Sequence, residues 1–163
     1  QVGRLTVRQM FDRAVAARTL CKDDPGLADL LSNVALLALQ ERRYRDAREY
    51  LAKAESLGGL VVDRQLQNQL VKARIEHGSG NLAVARNEYA KLEQLSAANS
   101  KSSRARYQCF AATGLAESTQ GSVDGTTIAA AQDCAKALPA GMTSAEHEQI
   151  VSRLQRKGVV RTP

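Results

Sequence analysis

Small and apolar residues recur along this chain at helical offsets, in three stretches that each contain a turn near glycine or arginine. The first runs Leu31, Val34, Ala35, Ala38, then Tyr44, Ala47, Leu51, Ala54 and Gly59. The second runs Ala73, Gly80, Leu82, Ala85, Tyr89 and Leu92, and the third Phe110, Gly114, Gly121, Val123, Ala131, Cys134 and Pro139. Apolar residues three and four positions apart share one face of an α-helix, so each stretch predicts two helices joined by a turn. The small residues constrain the fold most. Alanine at a helix crossing lets two backbones approach closely and leaves no room for a larger side chain, which predicts that Ala35, Ala47, Ala54, Ala73 and Ala85 sit at such crossings.

Composition agrees with an all-α chain. Aromatic residues are 4% of the sequence and Trp is absent, so the interior relies on alanine, which is the best helix former but buries little area. Pro25 and Pro139 fall between the expected helices, where proline costs least. A chain of 163 residues is long enough to bury a core. It is expected to form a single helical-repeat domain over residues 1–163.

The expected order begins with a lone helix over 5–22, with Val7, Met10, Phe11, Ala14 and Cys21 roughly on one face. Asp23, Asp24, Pro25 and Gly26 break the chain. Helix pairs follow over 27–57, 61–95 and 103–138, with a polar loop from Ser96 to Ser102 between the last two. Thr143 and Glu146 match a capping box. They predict a capping helix over 143–157, its polar outer face suited to the end of an array.

These stretches resemble the tetratricopeptide repeat family, in which a helix-turn-helix unit of about 34 residues stacks into a superhelix. The resemblance covers about residues 28–140, on the positions quoted above, in a divergent form: the spacings Ala47 to Ala85 and Ala85 to Thr127 exceed the family period. It implies an α-α superhelix, a solenoid of antiparallel helix pairs with terminal capping helices. It also implies a groove lined by the first helix of each pair, which places Asp29, Ser32, Asn33, Leu36 and Gln40 at partner-binding positions in the first unit. Gln67, Leu70, Arg74 and His77 take those positions in the second unit, and Gln108, Ala111, Leu115 and Ser118 in the third. The Lys and Asn with which some family members clamp a terminal carboxylate are replaced here by Ser32 with Leu36 and by Leu70 with Arg74.

Aligning Gly114 against Thr127 across the third pair puts Cys109 within two residues of Cys134 along the facing helix, about 3 Å of rise. That permits a disulfide between Cys109 and Cys134, but two small buried thiols are the commoner outcome in a helical core, and Cys21 makes the count odd. A bridge would favour a bacterial envelope or periplasmic location over the cytoplasm; the sequence otherwise leaves the compartment and oligomeric state open.

No paired cysteine spacing suits zinc, so no metal site is expected. His147-Glu148 lacks the second His of a zinc-protease helix, Val151 standing there, and Gly121 to Thr127 resembles a phosphate loop without its Lys. No serine elbow or cofactor motif is present, so neither catalysis nor a cofactor is expected. The net charge of +6 invites nucleic acid, yet the densest basic run, Arg42 to Arg48, is interrupted by acids and lacks an aromatic platform. Nucleic acid is disfavoured. No apolar stretch approaches the roughly 20 residues that span a bilayer. Gln1 in place of Met fits a processed product or an excised segment.

The expected function is a non-enzymatic protein-protein interaction scaffold or adaptor, an assembly factor among the options, that holds a partner protein or peptide segment in a helical groove. A regulatory or sensor domain of a larger protein, and a nucleic-acid-binding helical repeat using the basic surface, are the alternatives.

Overall fold

The computed structural model describes residues 6–98, 101–121 and 123–160, except for the side chains of 101–103. Leu5, the expected start of the first helix, lies outside the described residues, as do Asn99, Ser100 and Ser122 of the expected turns. Among the described residues every regular element is α-helical: α1 (Val7–Cys21), α2 (Asp24–Gln40), α3 (Tyr44–Leu57), α4 (Val62–Gly78), α5 (Leu82–Ala98), α6 (Lys101–Ser118), α7 (Gly125–Lys136) and α8 (Ser144–Arg156).

Two boundaries differ from expectation. The Asp23 to Gly26 break narrows to a cap: Lys22 turns left-handed at φ 55°, and the Asp23 carboxylate accepts the Gly26 N–H at 3.1 Å to start α2. Pro25 then occupies the first turn of α2, where its missing N–H is no loss. The expected polar loop from Ser96 to Ser102 is largely helix. Ser96 is fully buried and its hydroxyl donates to the Glu93 carbonyl at 2.8 Å, while Ala97 and Ala98 prolong α5 because alanine loses the least entropy in a helix.

The chain divides into two compact units, residues 1–71 and 72–163, with the boundary inside α4. In the first unit α1 packs on α2 and α2 on α3. Leu27, Leu31 and Ala54 form a buried cluster there, flanked by Val15, Tyr50 and Leu57. Ala35, Ala47 and Ala54 have no exposed surface, as expected of residues at crossings.

In the second unit α5 packs on α6, α6 on α7, and α8 on both α6 and α7. Ala73 and Ala85 are again wholly buried. At Gly114 the ring of Tyr89 comes against the backbone of α6: a Cβ at this position would overlap that ring, so glycine is what admits the tyrosine of α5. The capping box on α8 forms as the sequence predicts, Thr143 N–H donating to Glu146 at 2.9 Å and Glu146 N–H to the Thr143 hydroxyl at 3.2 Å. Ile150 and Leu154 then anchor α8 in the core.

Candidate functional site

The first unit gathers several of the expected partner-binding residues around a side chain that the offsets did not point to. Arg64 on α4 donates from Nε to Asp29 Oδ1 at 2.9 Å, and from a terminal nitrogen to Asn33 Oδ1 at 2.9 Å and Gln67 Oε1 at 2.7 Å. Its guanidinium-bearing side chain is only 17% exposed, while that of Asp29 is 51% exposed. Arg64 is thus a fixed hub with an accessible rim. Because Asn33 and Gln67 accept through oxygen, their NH2 groups remain as donors; among the described residues neither donates a hydrogen bond. Half-buried Leu36 and exposed Gln40 continue the same α2 face.

Ser32 and Leu70 do not reach that surface. They are 2% and 5% exposed, and the Ser32 hydroxyl donates to the Ala28 carbonyl at 3.0 Å. Helical offsets fix an angle around the axis, but neighbouring helices decide how wide a face is covered, and here the covered face is wider than expected.

In the second unit Arg74 and His77, expected as groove contacts, are engaged internally. The Arg74 guanidinium lies 4.8 Å from the centre of the Phe110 ring, and Arg106 takes the same ring at 5.7 Å. Burial lowers the Arg74 pKa, with Tyr89, Glu146 and Glu117 partly offsetting it. His77 meets Tyr89 edge-on at 6.2 Å, and burial also lowers its pKa, against the pull of Glu117. Glu117, 8% exposed, holds Arg153 of α8 through a two-point pair, with Nε to Oε1 at 2.7 Å. Burial works against the Arg153 charge, but the Glu117 bonds outweigh it and leave the pKa raised. Arg106 pairs with Glu146 at 2.6 Å, tying α6 to the start of α8.

The remaining expected residues of this unit separate. Ala111 and Ser118 are buried and Leu115 is half-buried. Gln108 lines a different feature, a groove of about 470 Å³ shared with Cys109, Cys134, Ala112, Ala130 and Leu138. Cys109 and Cys134 form a disulfide with Cα atoms 5.4 Å apart, so the bridged alternative of the sequence reading is the one the structure adopts.

The basic run is compensated from within. Arg43 bonds Glu41 at 2.8 Å and also Asp46, and Arg45 pairs with Glu49 at 3.3 Å. The bonds from Glu41 and Asp46 raise the Arg43 pKa. His147 lies 3.0 Å from the Cys134 carbonyl through Nε2. Among the described residues no group of three His, Cys, Asp or Glu side chains could hold a metal ion, and no helix is long and apolar enough to cross a membrane.

Arg64, Arg106, Glu117 and Arg153 are the polar residues that the repeat offsets missed. A usable signal was present. The pairs Asp29 with Arg64, Glu117 with Arg153 and Arg106 with Glu146 are separated by 35, 36 and 40 residues, about the length of two helices with their turns, so opposite charges at that spacing were candidates for contact. No protein-family model, curated protein or solved structure matches the chain.

Proposed function

We propose that this chain is a non-enzymatic protein-protein interaction scaffold or adaptor of the tetratricopeptide-repeat kind, and that the polar surface of the first unit holds an extended segment of another protein. The observation that carries the reading is the Arg64 hub. It fixes Asp29, Asn33 and Gln67 in one cluster, so their donors and acceptors are arranged before a partner arrives and less entropy is lost on binding. Amide donors and a carboxylate rim suit the carbonyls and N–H groups of a peptide backbone, and Leu36 offers an apolar contact beside them. An assembly factor or a regulatory domain of a larger protein would use the same surface.

The rival nucleic-acid reading draws on the net charge of +6, and the internal pairing of Arg43 and Arg45 weakens it. Photo-crosslinking from position 40, in cells that express the chain, captures the partner. Replacing Asn33, Leu36 and Gln67 together by Ala should then abolish binding while the helical circular-dichroism spectrum is kept, with a stability loss of about 1–2 kcal/mol because Arg64 loses two of its acceptors. Retained binding in that triple, with loss in Arg42→Ala, Arg43→Ala, Arg45→Ala, would transfer the contact to the basic turn.

A further inference from the structure

α7 is the helix of the second unit with the least to hold it in place. Of the described residues from Thr119 to Gly141, only Ala131 and Cys134 are buried. The groove between α6 and α7 shows why: its walls carry Ala105, Cys109 and Ala112 from one helix and Ala130, Cys134 and Ala137 from the other. An alanine methyl removes little apolar area from water, so such an interface gains little from packing. The Cys109–Cys134 bridge is the covalent tie across it.

Among the described residues, the polar contacts of α7 with other elements lead to the α8 side and not to α6. Gln132 Nε2 donates to the Val159 carbonyl at 3.0 Å, and His147 Nε2 lies 3.0 Å from the Cys134 carbonyl. α8 itself is anchored without α7. It sends Ile150 and Leu154 into the core and reaches α6 directly, through Arg153 to Glu117 and Glu146 to Arg106. Residues 119–141 are therefore a strap between two anchored helices, and the bridge fastens its middle.

We infer that the Cys109–Cys134 disulfide is a redox latch: a dithiol reductant opens it, and α7 then lifts from α6 while α5, α6 and α8 keep their core. Both cysteines line the groove of about 470 Å³, which gives a small reductant its way in. Its thiolate attacks the sulfur of Cys134, the more accessible of the two at 8% exposure against 3% for Cys109. The new bond joins the reductant to Cys134, and Cys109 leaves as a thiolate and takes up a proton. The second thiol of the reductant, once deprotonated, displaces Cys134 in turn and closes its own disulfide. Two electrons thus pass from the dithiol to the pair, which ends as two thiols. Without its bridge α7 is a 12-residue helix, marginal alone in water. Its departure uncovers the face of α6 that carries Ala105, Cys109 and Ala112, and an oxidising medium restores the closed state. The latch lies in the second unit and does not depend on the Arg64 hub.

Cys21 is exposed and free, so the full chain is studied with Cys21→Ser, which leaves the bridge as its one pair of cysteines. Hydrogen exchange, read by mass spectrometry, is compared for the oxidised chain, the chain in dithiothreitol and the chain reoxidised with oxidised glutathione. Amides of α7 should exchange at least about tenfold faster after reduction, those of α5 and α8 should stay within about twofold, and reoxidation should return α7 to its slow rate. Iodoacetamide should label Cys109 and Cys134 in the reduced chain alone. Cys109→Ser with Cys134→Ser should reproduce the reduced pattern with no reductant present. Unchanged exchange in α7 overturns the latch, since the bridge then adds nothing to its docking. Equal acceleration through α5, α6 and α8 overturns it too, because the bridge is then a staple of the whole unit. So does a bridge that stays closed in dithiothreitol while the chain is folded.

Discussion

α1 and α8 start almost alike and end in opposite situations. Each has threonine at its N-cap with a reciprocal capping box, from Gln9 in one and Glu146 in the other. α8 sends Ile150 and Leu154 into the core of the second unit, at 1% and 0% exposure, and adds Arg153 to Glu117 and Glu146 to Arg106. α1 leaves Val7 and Met10 half exposed and buries no residue fully. The lesson is that capping decides where a helix begins, whereas its contribution to stability comes from the face it loses to a neighbour. Isolated helices of this length are marginal in water even when well capped.

The largest test of this contrast is a pair of truncations. Leu154→Ala should cost about 2–5 kcal/mol, as for other buried leucines, while Met10→Ala should stay within about 0.5 kcal/mol. Urea denaturation of each variant supplies the comparison, and similar losses at the two positions would break it.

Removing the charge on α8 should come next. Arg153→Leu leaves the Glu117 carboxylate, 8% exposed, without its partner. A fully buried pair loses roughly 3–5 kcal/mol on such a change; Arg153 is 27% exposed, which brings the expectation to about 2 kcal/mol once solvent screening is allowed for. Restoring stability with Glu117→Leu in the same chain would mark the loss as that of an orphaned charge and not of packing.

Gly114→Ala sharpens the comparison on the helix that α8 packs against. Alanine is favoured over glycine in a helix interior by about 1 kcal/mol, yet its Cβ would enter the Tyr89 ring. Overpacking should win and leave a net loss of about 1–2 kcal/mol. A stabilised variant would mean that Tyr89 moves aside freely.

The smallest effect is a pH dependence confined to the second unit. Burial lowers the His77 pKa from its ordinary 6.5, with Arg153 and Lys157 acting in the same direction and Glu117 against it. The unfolded chain therefore binds a proton at His77 more readily than the folded one, so this stability is present above about pH 6.5 and declines as pH falls below it. His77→Gln should flatten that part of the profile, read as the denaturation midpoint between pH 7 and 5. α1 carries no histidine, and changes in it should leave the slope alone.

Much of this architecture was legible in the chain. Ala35, Ala47, Ala54, Ala73 and Ala85 stand at fixed helical offsets, and each is fully buried. The capping box at Thr143 followed from spacing, and the proximity of Cys109 to Cys134 from spacing together with the register that sets Gly114 against Thr127. The end of α5 did not. Ser96, Ala97 and Ala98 read as polar linker, but nothing local breaks a helix there, and burial of Ser96 selects continuation. For the candidate site the offsets named Asp29, Asn33 and Gln67 separately, and missed Arg64, which joins them, because two of its three partners lie on another helix.

Local chemistry therefore determined the helices themselves. Side-chain spacing, caps and glycine turns act within a few residues, so they can be read from the chain without knowing its packing. Which faces became core, which stayed open and which cations found carboxylates were decided only by tertiary structure. Ser32 and Leu70 went inside, Arg74 settled on Phe110, and Arg64 collected three partners from two helices. Burial and long-range charge pairing depend on residues that the chain brings together from tens of positions away, and no local window contains them.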